Sequence, residues 1–118
     1  MGEAMFNWGN GRATVVLEGE IDWHTVPGVR DALAASGSHS GLDVDLSAVN
    51  FCDASGLNVF LEAAKRSADA AGDLRLHRPC RAVRRLVDVT GTGFLLADEN
   101  SPLALPVDVR WPVAPHDQ

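Results

Sequence analysis

Leu42-Asp43-Val44-Asp45-Leu46 alternates apolar and acidic residues without a break, the period-2 signature of a strand with its apolar side chains on one face. Upstream, Thr14-Val15-Val16-Leu17-Glu18-Gly19-Glu20-Ile21 is β-branched and apolar and reads as another strand. Met5 to Trp8 are expected to form a short partner strand across the turn Gly9-Asn10-Gly11. Between the two longer strands the period changes. Val26, Val29, Leu33 and Ala34 recur at spacings of three and four, which puts them on one helical face, with Thr25 at the start and Pro27 just inside. Ser36-Gly37-Ser38-His39-Ser40-Gly41 is a polar loop.

Beyond a turn expected at Asn50–Phe51, Leu57, Phe60, Leu61, Ala64 and Ala68 mark a long amphipathic helix, closing near Ala70-Ala71-Gly72 with the glycine as terminator. Leu74-Arg75-Leu76-His77 is a short strand stopped by Pro79. Ala82, Val83, Leu86 and Val87 predict a third helix, ended at Thr90-Gly91-Thr92-Gly93, and Phe94-Leu95-Leu96-Ala97 a last strand. Strands alternating with helices imply an α/β fold with a mostly parallel sheet and right-handed crossovers. From residue 98 the pattern is lost. Pro102, Pro106, Pro112 and Pro115 forbid an ordinary helix, so residues 1–97 are read as one domain and 98–118 as a proline-rich tail, extended or partly disordered.

Length and composition narrow the function. At 118 residues one domain with a single core is expected. A formal charge of −6 argues against non-specific binding to nucleic acid or to an anionic membrane, and the lack of a long apolar stretch argues against membrane insertion. Against that balance, Arg75, Arg78, Arg81, Arg84 and Arg85 cluster, read first as a solvated helix face and second as a partner contact. Cys52 and Cys80 read as small buried hydrophobes in a reducing compartment, with a disulfide as the lesser alternative. No signal peptide, myristoylation pattern or membrane span is visible, so a soluble, cytoplasmic protein is expected.

Most catalytic chemistry finds no support. His24, His39, His77 and His116 are scattered without metal-ligand spacing, and neither Gly9-x-Gly11 nor Gly91-x-Gly93 is a nucleotide fingerprint. Ser55 lies outside a nucleophile elbow, because Asp53 stands where the first glycine belongs. No enzyme activity, cofactor or metal is expected. What remains is a pair of acidic turns, Asp22 after the first long strand and Asp53 after the second, where a parallel sheet opens its binding sites. Asp53 or Ser55 is either the cap of the long helix or part of a surface where a phosphorylated hydroxyl would be favoured.

Three segments, VVLEGEIDWHT (15–25), LDVDLSAVNFCDASGL (42–57) and AVRRLVDVTG (82–91), resemble the STAS domain family in order and spacing, over about residues 10–97, and are most similar to its stand-alone bacterial anti-sigma factor antagonists. The resemblance implies a single domain with a four- to five-stranded mixed sheet flanked by helices. It also implies docking onto a serine-kinase anti-sigma factor of the GHKL type, which frees a sigma factor. Gly19, Glu20 and Asp22 match the first acidic turn of the family; Asp53, Gly56 and Leu57 match the second. The implied partner-binding residues are Asp22, Asp53, Ala54, Ser55, Gly56 and Asn58. In phosphorylated relatives the acceptor directly follows the aspartate; here that residue is Ala54, without a hydroxyl, and Ser55 matches the family's next, structural Ser/Thr. A second departure is the proline-rich C-terminus. Three readings stay open: an antagonist that phosphorylation does not switch off, one phosphorylated instead at Ser55, or an interaction module of a lipid-transport or other signalling assembly.

Overall fold

Two parallel strands, β1 (Arg12–Ile21) and β2 (Gly41–Cys52), form the centre of the protein, paired from Arg12↔Gly41 to Ile21↔Cys52. The computed structural model describes residues 12–35, 41–98 and 107–112. β3 (Leu74–His77) pairs with β2 and β4 (Val109–Trp111) with β1, so the sheet runs β3-β2-β1-β4 and every described pairing is parallel. Each parallel pair needs a crossover. α1 (Val26–Ala34) links β1 to β2, and α2 (Ala54–Asp69) links β2 to β3. α3 (Arg81–Thr90) follows β3 and ends at Gly91, whose left-handed φ of 73° terminates it.

The register sorts the side chains into two faces. Ala13↔Leu42↔Leu74 and Val15↔Val44↔Leu76 lie across the strands in line, all buried in one cluster with Val29 and Leu33 of α1 and Leu57 and Phe60 of α2. The other face carries Thr14↔Asp43↔Arg75 and Val16↔Asp45↔His77. Its acids are not solvated: Asp43 is 2% exposed and Asp45 8%. A buried carboxylate survives only when paired. The Arg12 guanidinium grips both oxygens of Asp43 at 2.9 Å and also bonds Asp73, His77 Nε2 lies 2.9 Å from Asp43, and Arg78 reaches Asp45 at 3.1 Å.

Several sequence expectations change. The turn expected at Asn50–Phe51 does not form, because β2 continues to Cys52 and keeps pairing with β1 past two register shifts. Phe94–Ala97 is not a strand; Gly93–Leu95 is a turn of 3-10 helix, and only Leu96 bridges to Leu76. On α2 the buried residues include Ala63 and Ser67 while Ala68 is exposed, so the apolar stripe is rotated near the helix end. Val109–Trp111, placed by the sequence in a separate tail, is a strand of the sheet, with Val15↔Val109 and Leu17↔Trp111 in register and the Trp111 ring against Gly28 of α1. The segments Met5–Trp8, Gly9-Asn10-Gly11 and Ser36–Ser40 lie outside the described residues.

The end of α2 is closed by Ala71 at φ 65°, not by the neighbouring glycine, and Gly72 N–H donates to the Ser67 carbonyl at 2.7 Å. A left-handed alanine costs about 1 kcal/mol relative to glycine. Ala71→Gly is therefore expected to raise stability by roughly 0.5–1 kcal/mol, read as a higher urea midpoint.

Burial alone would raise the carboxyls of Asp43, Asp45 and Asp73. Their partners outweigh it and hold all three below the ordinary 3.8: Arg12 and His77 for Asp43, the Ser47 N–H and Arg78 for Asp45, and Arg12 and Arg75 for Asp73. A depressed folded value gives stability that is present above the unfolded value and lost as pH falls through the folded one. The urea midpoint is expected to hold steady from neutral pH to about pH 5 and fall below about pH 4. Arg12→Met should cost about 3–5 kcal/mol at neutral pH and flatten the acid limb, since Asp43 then loses its guanidinium.

Candidate functional site

β1 changes register against β2 beside Gly19, whose φ of +88° would strain any residue with a Cβ. The shift lets the two strands finish as partners, Ile21 opposite Cys52, with the Asp53 N–H donating to the Ile21 carbonyl at 3.1 Å. Asp22 and Asp53 directly follow these paired residues. They therefore leave the carboxyl end of the sheet from adjacent strands.

Each acid organises its own turn. The Asp22 carboxylate accepts from the N–H groups of His24 at 3.0 Å and Thr25 at 3.1 Å. The Thr25 hydroxyl accepts from the Asp22 N–H at 3.0 Å and donates to the Glu20 carbonyl at 2.9 Å. Thr25 thus starts α1 as expected, but its side chain ties the preceding turn and makes no cap bond to the helix. This pins a short turn with Trp23 at its tip, 72% exposed and stacked on the His24 ring at 4.5 Å.

Asp53 is the cap of α2. Its Oδ1 accepts from the N–H groups of Ser55 at 2.9 Å and Gly56 at 3.3 Å, and from the Ser55 hydroxyl at 2.5 Å. The Ser55 hydroxyl, then the backbone donors, hold the Asp53 carboxyl below its ordinary range. Ser55 is half-buried with its hydroxyl turned to Asp53, while Ala54 and Asn58, one helical turn apart, are exposed. Gly56 does not face outward. It is buried where α2 crosses the sheet, and a Cβ there would stand 2.6 Å from Ile21 Cγ2 and 2.7 Å from Cys52 Sγ. Burial, with Asp53 and Cys80 adding to it, pushes the Cys52 thiol up to about 12, so it stays protonated and inert. Cys52 and Cys80 are both free thiols.

The structure thus brings Asp22, Asp53, Ala54, Ser55 and Asn58 to one end of the sheet and sets Gly56 beneath them. A catalytic Ser55 would need His77 or His24; His77 is bonded to Asp43 on β2, and the His24 ring stacks on Trp23. Among the described residues no three His, Cys, Asp or Glu side chains come together to hold a metal, and no helix is long and apolar enough to cross a membrane. Sequence reasoning missed Trp23 and Phe51, the latter 43% exposed. Their signal was a large aromatic directly beside each acidic turn, where burial was the natural assumption.

The paired acidic turns, the capped helix start and the glycine beneath it form one motif, and residues 4–97 match the family model described as Mlab, STAS domain. The chain belongs to the STAS family. This STAS domain is 32% identical over 88 residues to an anti-sigma-B factor antagonist of Listeria monocytogenes, covering 73% of this chain and 77% of that protein. Its fold is similar to that of the anti-sigma factor antagonist SpoIIAA in its unphosphorylated form, with a TM-score of 0.64 and 27% identity over 74% of this chain and 80% of the other. It is also similar to the phosphorylated form of the Bacillus cell fate determinant SpoIIAA, with a TM-score of 0.59 and 26% identity over 74% and 83% of the two chains. Within the STAS domain, Gly56 is where helix and sheet touch. Gly56→Ala is expected to destabilise it by about 1–3 kcal/mol through overpacking, measured by urea denaturation.

Proposed function

We propose that this protein is an anti-sigma factor antagonist. It binds a serine-kinase anti-sigma factor of the GHKL type in the cytoplasm and so releases a sigma factor; it is a binding protein and not an enzyme. The reading draws support from the antagonist relatives at 32% and 27% identity. It rests chiefly on one observation: two carboxylates, Asp22 and Asp53, leave adjacent strands at a helix start whose exposed positions are Ala54 and Asn58. Trp23 and Phe51 flank them with apolar surface, the kind of anchor that interfaces bury.

The mode of control follows from the same residues. A phosphate at this helix start would add between one and two negative charges beside Asp22 and Asp53, and like charges brought together across an interface cost several kcal/mol. SpoIIAA exists in phosphorylated and unphosphorylated forms. In this chain the position directly after the aspartate is Ala54, which has nothing to phosphorylate, and the neighbouring hydroxyl of Ser55 is spent on Asp53. The antagonist therefore stays competent to bind in the presence of kinase and ATP.

Asp53 has two roles that substitution can separate. Asn caps a helix about as well as Asp, whereas Ala does not. Asp53→Asn is expected to leave the melting temperature nearly unchanged yet weaken binding to the cognate anti-sigma factor about tenfold or more by calorimetry. Equal affinity would confine the carboxylate to capping. After incubation with the kinase and ATP, intact-mass spectrometry should show no added phosphate. Stoichiometric addition that disappears in Ser55→Ala would refute constitutive binding.

A further inference from the structure

α3 carries Arg81, Arg84 and Arg85, a spacing that sets their side chains along one side of the helix. All three are exposed, and among the described residues none makes an ion pair, whereas Arg12, Arg30, Arg75, Arg78 and Arg110 each do. The folding of α3 does not require them, since it packs through the buried Val83 and Val87. With Val87, Gly93 and Leu96 they line an open groove of about 590 Å³ between α3 and the following 3-10 turn. Asp88 is the one carboxylate on its wall, and it pairs with none of them. Leu96, half-buried, is the apolar side chain that the 3-10 turn contributes to this wall; Phe94 turns instead toward Ala64, Ala68 and Leu74.

We propose that this groove docks an acidic segment of a partner protein, carboxylates on the arginines and an apolar side chain against Leu96. None of its residues belongs to the acidic turns, so it is a second docking surface. Three cations share the groove with a single carboxylate, Asp88, that forms no ion pair with them, which leaves a net positive wall, and a guanidinium fork matches a carboxylate better than an ammonium does. The occupant is a short segment and not an extended polyanion, for an electrostatic reason. A membrane or nucleic acid spans the whole molecule and meets its net charge of −6. A peptide in the groove meets only the charges within a screening length of about 8 Å, where the arginines dominate.

The test uses the full chain and a fluorescein-labelled peptide of repeating Glu and Leu, with a Lys-Leu peptide as control. Anisotropy should report binding of the acidic peptide only, weakening as salt is raised. The double variant Arg84→Glu, Arg85→Glu alters exposed positions and should keep the wild-type urea midpoint while lowering affinity about tenfold or more. Asp22→Asn, on the other surface, should leave peptide affinity unchanged. Amide shifts on titration should centre on α3 and residues 93–96. Peptide affinity insensitive to the double variant, or shifts centred elsewhere, would overturn the proposal. So would co-sedimentation with phosphatidylserine vesicles in place of peptide binding, or a concentration-dependent dimer that the same charge reversal abolishes.

Discussion

The parallel ladder between β1 and β2 is the constraint on which the rest of this protein depends. It runs from Arg12↔Gly41 to Ile21↔Cys52 and absorbs two register shifts on the way. Were the strands to end out of step, Asp22 and Asp53 would leave the sheet at different heights and the two turns would not form one surface. Gly19 lets them end in step, because its left-handed φ lies beside a register shift that a residue with a Cβ would resist. The geometry of the two acidic turns is therefore set in the sheet and not in the loops that follow it.

One face of that sheet is held by apolar packing and the other by charge. Asp43 sits under Arg12 and against His77, and Asp45 under Arg78, so both acids are neutralised across strands that hydrogen bonding already keeps in register. Such pairs add little net stability over apolar replacements, but breaking one strands a buried charge. They select against a shifted pairing, since a one-residue slip would turn every acid onto the helix-covered face. The same ions link Arg12 of β1 to Asp73, just before β3, and close the sheet at its amino end.

Asp53 joins the helix cap to the proposed docking surface in one side chain. A single oxygen serves two backbone N–H groups and the Ser55 hydroxyl, which anchors α2 over the sheet and occupies the hydroxyl nearest the proposed docking surface. Gly56 then lets the helix come close enough to rest on Ile21 and Cys52. What stays outward is small and uncharged at Ala54 and Asn58, with aromatic surface at Trp23 and Phe51.

Much of this was legible along the chain. Periodicity located β1, β2, β3 and all three described helices, because each has a face that must be buried, and Asp22 and Asp53 stood out as acids closing apolar runs. The sequence by itself determined the α/β class, the two acidic turns and the alanine that directly follows Asp53, whereas it read Gly56 as part of the exposed surface and the fold sets that glycine under the helix. Only the tertiary structure decided what depends on residues far apart in the chain. Val109–Trp111 is a strand because the outer edge of β1 offers it hydrogen bonds, which no local pattern of three residues reveals. Phe94–Ala97 lacks a full ladder, and so its apolar run turns into a 3-10 helix. The choice of Asp53 over Ser55 as cap, and the burial of Asp43 and Asp45, likewise depend on partners supplied by the fold, since a carboxylate's role is set by the donors that reach it.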